Sequence, residues 1–380
     1  MMEVILWLAI LGVICWWSVI FLPWRPWSTR EKLEVNGRIA EIPSSQSSLS
    51  DITVLIPARN EGAYIGRTLQ AVNRQGKGMR IIVIDDQSMD DTALQAKAYG
   101  AEVLSGTTPL SGWSGKLWAL EQGFRKVQTT YTLLLDADIE LSPGIVHDLR
   151  HKAQAEKIAL VSLMATPPLM NFIERLLMPA FIFFFKLLYP FGLANKSSSR
   201  VAAAAGGCIL VETQALRAIG AFANLHDALI DDCTLAGHVK RAGLRTWIGL
   251  SHAAQSHRGY EGLTPIWEMV ARTAYTQLRY SFILLVLCTV IMGSMFWAAP
   301  FTFLWMPTEE MVIVGVLAWS GMLLSYLPTL IYYQRSPFWG VALPIIGALY
   351  LAMTWTSAIR YWRGERASWK NRRYESKTTH

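Results

Sequence analysis

The chain has 380 residues, of which 52% are hydrophobic and only 17% charged, against about a quarter charged in ordinary soluble proteins, so a soluble domain does not account for the whole length. Its sixteen tryptophans point the same way, and in so apolar a chain the formal charge of +7 marks a cytoplasmic membrane face rather than a nucleic-acid surface. Cys15, Cys208, Cys233 and Cys288 are scattered and form no CxxC pair, so the sequence predicts neither a disulfide framework nor a zinc site.

Residues 4–22, VILWLAILGVICWWSVIFL, carry no charge over the length of a bilayer span. Glu3 precedes them and the bulky PWRPW follows, whereas a cleaved signal peptide has a basic start and small residues at its end. An uncleaved anchor over 1–24 is therefore expected, then a linker over 25–50 that ends in the polar PSSQSSLS (43–50). From 51 to about 165 the apolar runs are short: ITVLIP (52–57), MRIIVIDD (79–86), AEVLSG (101–106), YTLLLDAD (131–138) and IALVSLM (158–164). Helix-like stretches such as TLQAVNRQG and TALQAKAYG lie between them. That alternation predicts an α/β domain with a mostly parallel sheet, whose ligands bind beyond the carboxyl ends of the strands. Arg59, Asn60 and Glu61, then Asp85 and Asp86, then Asp136 and Asp138 fall at those ends.

Further on, NFIERLLMPAFIFFFKLLYPFG (171–192) is apolar but holds Glu174, Arg175, Lys186 and Pro179, and reads as an interfacial helix rather than a span, with a buried core helix as the alternative. VAAAAGGCILVE (201–212) is rich in small residues and then strand-like. DALIDDCTLAGHVKRAG (227–243) reads as a loop followed by a helix, capped by Asp231 or Asp232 and stopped by Gly243. The segment 282–359 holds three more span candidates, near 282–305, 311–333 and 338–359, and a basic tail over 360–380 follows. Its Lys and Arg excess places the tail in the cytoplasm, which requires one apolar segment to be re-entrant, with Pro300 as the break.

Two carboxylates one residue apart on a strand, Asp136 and Asp138, face one spot and repel unless a cation sits between them. Mg²⁺ suits such a pair because it takes its other ligands from water and phosphates, and Mn²⁺ fits the same oxygens. The alternative is a polar strand-to-loop turn in which Asp138 caps the next element. Lys116 lies in the Gly-flanked GWSGK, placed to supply a positive charge to a phosphate or simply solvated; the spacing is not that of a P-loop.

VLIPARNE (54–61), DDQSMDDT (85–92), DAD (136–138) and the acidic pair Asp231-Asp232 before a helix, in this order, resemble the family 2 glycosyltransferases. The implied fold is α/β, a GT-A (Rossmann-like) domain over 51–281 flanked by transmembrane helices at both ends of the chain. GWSGKLWAL (112–120), RLLMPAFIFFFKLLYPF (175–191), AAAAGGCILV (202–211), ALIDDC (228–233) and MVARTAYTQLRYS (269–281) are similar, more narrowly, to the hopene-associated glycosyltransferases. These form a bacterial membrane branch related to ceramide glucosyltransferases. The resemblance implies an inverting enzyme of the inner membrane, multi-pass and with its catalytic domain in the cytoplasm. It would move a sugar from a nucleotide-sugar donor, a UDP-sugar, to a lipid acceptor, a hopanoid. The rival readings are a polyprenyl-phosphate or ceramide-like acceptor and, outside enzymes, a non-catalytic scaffold of the same fold.

The same resemblance implies roles. Asp138 corresponds to the direct metal ligand, and Asp136 to a contact with the donor ribose or with the metal through water. Asp86 reads the donor base or ribose, and Asn60 and Glu61 form the nucleotide-side turn. Arg59 stands where many relatives carry an aromatic residue. Asp232 corresponds to the base that takes the acceptor proton, beside Asp231 in place of the commoner Glu. Gly206 and Gly207 fall on the acceptor or diphosphate side. Arg272 and Arg279 sit where related lipid enzymes carry a [Gln/Arg]-x-x-Arg-Trp motif, of which only Arg279-Tyr280 approaches the end. His226, His252 and His257 have no metal-ligand spacing and are assigned no role.

Overall fold

The structure is a computed structural model, and it describes residues 2–35, 48–226, 231–298, 300–302, 308–365, 368–369 and 372–373. Most of the polar linker segment 43–50 and most of the basic tail beyond 365 lie outside the described residues. The chain divides into two compact units. One comprises Glu31–Pro168 and Leu193–Gly259; the other comprises Met1–Arg30, Leu169–Gly192 and Tyr260–Glu365.

The first unit is built on an eight-stranded mixed sheet in the order β3-β2-β1-β4-β7-β6-β8-β5. Its strands are β1 (Ile52–Ala58), β2 (Arg80–Asp85), β3 (Glu102–Ser105), β4 (Tyr131–Leu135), β5 (Ile139–Leu141), β6 (Leu160–Thr166), β7 (Cys208–Glu212) and β8 (Thr246–Ser256). The first four run parallel, β7 is antiparallel to both β4 and β6, β6 and β8 are parallel, and β5 closes the edge antiparallel to β8. Every residue of β1 and β4 is buried, as expected where helices cover both faces. Alternate side chains divide between two cores. Ile52, Val54 and Ile56 pack with Ile65 and Leu69 of α2 (Gly62–Asn73) and Leu149 of α5 (Ile145–Glu156). Leu55, Ile82 and Ile84 pack with Leu117 and Leu120 of α4 (Gly115–Phe124) and Leu235 of α9 (Asp231–Arg241). The apolar runs of the sequence are thus the strands, and α3 (Thr92–Ala98) follows β2 as the pattern requires.

Among its described residues the second unit holds four helices long and apolar enough to cross a membrane, Glu3–Phe21, Phe282–Thr302, Glu309–Tyr332 and Pro337–Trp362. Helix α1 (Met2–Phe21) inserts the fully buried Trp16, whose indole donates to the Met295 carbonyl at 2.8 Å. Gly12 permits the approach, because a Cβ there would stand 2.2 Å from the Ser294 carbonyl oxygen. Residues Gly293–Ala298 form a π-helical stretch, a geometry found mostly as single inserted turns.

Helix α6 (Phe172–Leu188) is the segment expected at the membrane interface; among the described residues it is not one of the helices long and apolar enough to cross a membrane. It packs Leu177, Ala180 and Phe183 against Met322, Tyr326 and Ile346. Buried Glu174 accepts the backbone N–H groups of Met170 (2.7 Å) and Tyr260 (2.6 Å), and Asn171 completes a capping box. Leu169–Gly192 and the stretch from Tyr260 to 281 therefore cluster with the apolar helices, not with the sheet as the linear boundary 51–281 would have it. The reason is compositional: these segments bury their large apolar side chains against other apolar helices.

Candidate active site

The parallel strands end in register, with Ala58 beside Asp85 and Asp85 beside Ser105. The loops that leave β1 and β2 are laced together. Asn60, at φ 52°, accepts the Met89 N–H on its side chain and gives its own N–H to Ser88 Oγ, each at 2.9 Å. Glu61 gives its N–H to Thr92 Oγ1 at 2.8 Å, and both Glu61 and Asp86 are buried. The Arg59 guanidinium reaches back to the Asp86 carbonyl, with the Asp86 carboxylate 3.9 Å away. The Ser88 N–H donates to Asp85 Oδ1 at 3.3 Å, so the local turn uses the first aspartate.

At β4 the strand stops at Leu135, one residue short of Asp136. Asp136, Ala137 and Asp138 make a turn into β5, closed by the Ile139 N–H on the Asp136 carbonyl at 3.2 Å. This corrects the expectation of an extended strand through Asp138. The cause is β7: its antiparallel start pairs Cys208 with Leu135, and the Gly207 carbonyl takes the Asp136 N–H at 3.0 Å. The two carboxylates consequently have different cationic partners. Asp136 Oδ1 lies 2.6 Å from Lys116 Nζ. Asp138 Oδ2 accepts from Arg258 Nε and Ser256 Oγ, each at 3.2 Å.

Lys116 is in the first turn of α4 rather than in a loop, because Ser114 caps that helix by accepting the Leu117 N–H at 3.2 Å. Burial alone would lower its pKa, but Asp136, Asp231 and Asp232 together hold its ammonium above the ordinary lysine value. Burial in turn raises Asp136, an effect Lys116 opposes and Asp138 adds to.

Helix α9 begins at Asp231, with residues 227–230 outside the described set. Both aspartates lie in its first turn, and Asp232 Oδ2 receives the Gly206 N–H at 2.9 Å while Oδ1 receives the Cys233 N–H at 2.7 Å. Burial and then the neighbouring Asp231 push Asp232 up to about 7, against the opposing pull of Cys233 N–H, Lys116 and Gly206 N–H. A Cβ on Gly206 would stand 3.4 Å from Lys116 Nζ and 3.5 Å from Asp232 Oδ2. Lys116, Asp136, Gly206, Asp231 and Asp232 line one pocket, with Pro57 and Leu235. The pocket thus joins a cation, a carboxylate beside it and a second carboxylate tuned to neutral pH.

The structure brings Asn60, Glu61, Asp86, Lys116, Asp136, Asp138, Gly206, Gly207, Asp231 and Asp232 into the sheet unit. Arg272, at the C-cap of α10 (Leu263–Ala271), and Arg279, at φ 51°, belong to the apolar unit. Sequence reasoning missed Arg258, which lies just past β8 and bonds to both Asp138 and Glu61. Thr246–Ser256, the stretch before it, is not expected as a strand from the sequence, so nothing drew attention to a cation two residues past its end.

Among the described residues no group of three or more His, Cys, Asp and Glu side chains is arranged to hold a metal by itself. Asp138 and Asp136 suit a divalent cation that takes its remaining ligands from phosphates. In this structure Asp136 pairs with Lys116 and Asp138 with Arg258, so a cation bound there joins or displaces those partners.

Residues 53–220 match the family model "Glycosyl transferase family 2". A curated relative, the 4,4'-diaponeurosporenoate glycosyltransferase of Staphylococcus aureus (strain MRSA252), is 38% identical over 89 residues. That match spans 23% of this chain and 24% of the relative's length. The mannosyltransferase PcManGT from Pyrobaculum calidifontis, solved with GDP-Man and Mn²⁺, covers 95% of this chain and all of its own. Its TM-score is 0.56 at 14% identity, a likeness of fold.

Proposed function

We propose that this chain, through its family 2 glycosyltransferase domain, is a membrane-bound inverting enzyme that moves a sugar from a nucleotide-sugar donor to a lipid. The observation that carries the reading is Asp232, poised near pH 7 and held by Gly206 in one pocket with the Lys116–Asp136 pair. A general base works best with a pKa near the operating pH. Asp232 takes the proton from the acceptor hydroxyl as that oxygen attacks the anomeric carbon from the face opposite the leaving group. The bond from that carbon to the donor's diphosphate breaks, and its electrons stay on the phosphate oxygen. Lys116 offsets the charge that develops there. A divalent cation, Mg²⁺ or Mn²⁺, held by Asp138 with Asp136, would neutralise the same diphosphate. Asp86, Asn60 and Glu61 hold the nucleoside at the tips of β1 and β2.

The motif resemblance favours a hopanoid acceptor and a UDP-sugar donor. The name of the S. aureus relative makes 4,4'-diaponeurosporenoate the second acceptor to test, and the PcManGT complex makes GDP-mannose the second donor. Arg272 and Arg279, in the apolar unit, are assigned to lipid headgroups or the diphosphate. The four apolar helices support membrane attachment, with the sheet unit in the cytoplasm of a bacterial inner membrane, where nucleotide sugars are. If all four cross, the tail emerges on the other side. The basic tail favours the cytoplasm, with Phe282–Thr302, π-helical at Gly293–Ala298, as the segment that turns back. Purified protein incubated with a panel of nucleotide sugars and extracted hopanoid lipids, read by mass spectrometry, tests the reaction. A sugar-lipid product supports it, and nucleotide sugar left intact under every pairing refutes it.

A further inference from the structure

We infer that Arg258 is a positioning residue that stands in the cation position of the donor site and must release Asp138 before a divalent cation binds there. The inference rests on the metal assignment above. Glu61 leaves the end of β1 and Asp138 leaves the end of β4, and one guanidinium joins them: Arg258 Nη2 bonds to Glu61 Oε2, and Arg258 Nε to Asp138 Oδ2 at 3.2 Å. The Tyr64 ring supports the guanidinium from one face, 4.4 Å from its centroid. Ser256 Oγ also bonds to the Asp138 oxygen that Arg258 holds, at 3.2 Å. Asp138 Oδ2 therefore already carries hydrogen bonds from two donors, one of them charged, and a metal bound to that oxygen competes with them.

The competition gives metal binding a sign and a coupling. A cation binding alone breaks a charged hydrogen bond and leaves the guanidinium anchored at Glu61 and Tyr64. A cation arriving with a nucleoside diphosphate brings anionic oxygens that replace Asp138 as the guanidinium's partner, and Arg pairs well with phosphate. Arg258 thus links metal binding to donor binding.

The test is Mn²⁺ binding to the purified full chain in detergent, by titration with electron paramagnetic resonance of free Mn²⁺, with and without UDP. Arg258→Met removes the charge and keeps the length. It is expected to tighten Mn²⁺ binding without UDP by about tenfold, the scale of one charged hydrogen bond, and to shrink the UDP-dependent enhancement. Arg258→Lys, which restores a charge, stays closer to the wild type. Glu61→Gln removes the anchor that keeps the released guanidinium and leaves Arg258 more firmly tied to Asp138, so it weakens Mn²⁺ binding without UDP, opposite to Arg258→Met; it decides the matter if Arg258→Met does not fold. Unchanged or weaker Mn²⁺ binding in folded Arg258→Met, or unchanged or tighter binding in Glu61→Gln, with a wild type that binds Mn²⁺ in a UDP-dependent way, overturns the role of Arg258 alone. Failure of the wild type and all three variants to bind Mn²⁺ under any condition overturns the metal assignment as well.

Discussion

The Gly206 N–H donates to Asp232 Oδ2 at 2.9 Å, tying the first turn of α9 to the segment that enters β7. Through Gly207, whose carbonyl takes the Asp136 N–H, the same segment fixes the tip of β4. Two carboxylates nearly a hundred residues apart in the chain are thereby placed in one pocket by consecutive glycines.

Gly206 is predicted to tolerate Ala but not a branched residue. The Cβ contacts at 3.4 and 3.5 Å are ordinary van der Waals distances, whereas the methyl groups of Val would crowd Lys116 and Asp232. Gly206→Ala keeps most transfer activity, and Gly206→Val loses it with little change in melting temperature. Equal activity in the two variants would show that the approach at Gly206 does not matter.

Transfer is expected to rise with pH through about 7, because Asp232 acts as its carboxylate and burial with Asp231 raises its pKa to that value. Asp231→Asn removes the charge that raises it, so the acid limb of the pH–rate profile shifts to lower pH. Lys116→Met removes a charge that lowers it, so the limb shifts to higher pH. A limb that stays in place in both variants would detach the profile from Asp232.

Lys116→Met should also weaken donor binding by roughly tenfold or more, the scale of a lost charged hydrogen bond, and Lys116→Arg should restore part of it. Calorimetric titration with UDP reads this directly, and unaltered affinity would leave Lys116 as the counter-ion of Asp136 and nothing more.

The sheet was legible because its central strands β1 and β4 are buried on both faces and appear as unbroken apolar runs, and Ile52–Ala58 and Arg80–Asp85 stand where ITVLIP and MRIIVIDD indicated. The candidate carboxylates were legible because parallel strands put them at one edge. Arg258 was not, since its nearness to Asp138 depends on β5 pairing with β8, Ile139 opposite Ser256, a register set by packing between distant segments. The turn at Asp136–Asp138 was misread as strand for the same reason: the antiparallel partner that ends β4 comes from residues 208–212. The membership of α6 in the apolar unit depends likewise on helices more than a hundred residues further along.

Asp138→Ala is predicted to abolish Mn²⁺-dependent donor binding and transfer. From the sequence alone the change would cost little stability, since it removes one of two repelling carboxylates. In the structure Asp138 accepts from Ser256 and Arg258, so a loss of about 1–2 kcal/mol is expected. Chemical denaturation of wild type and variant measures it, and near-normal transfer in the variant would refute the metal role.

The central claim, that Asp232 is the base of a glycosyl transfer, is tested most directly by measuring transfer and donor binding side by side in Asp232→Asn. Asn keeps the size of the side chain and an oxygen for the Gly206 N–H but cannot take a proton. The account predicts donor binding near the wild-type value and transfer reduced by ~10²–10⁴-fold, the usual contribution of a general base. Transfer near the wild-type rate in Asp232→Asn, with Asp231→Asn inactive, would contradict it and pass the role to Asp231.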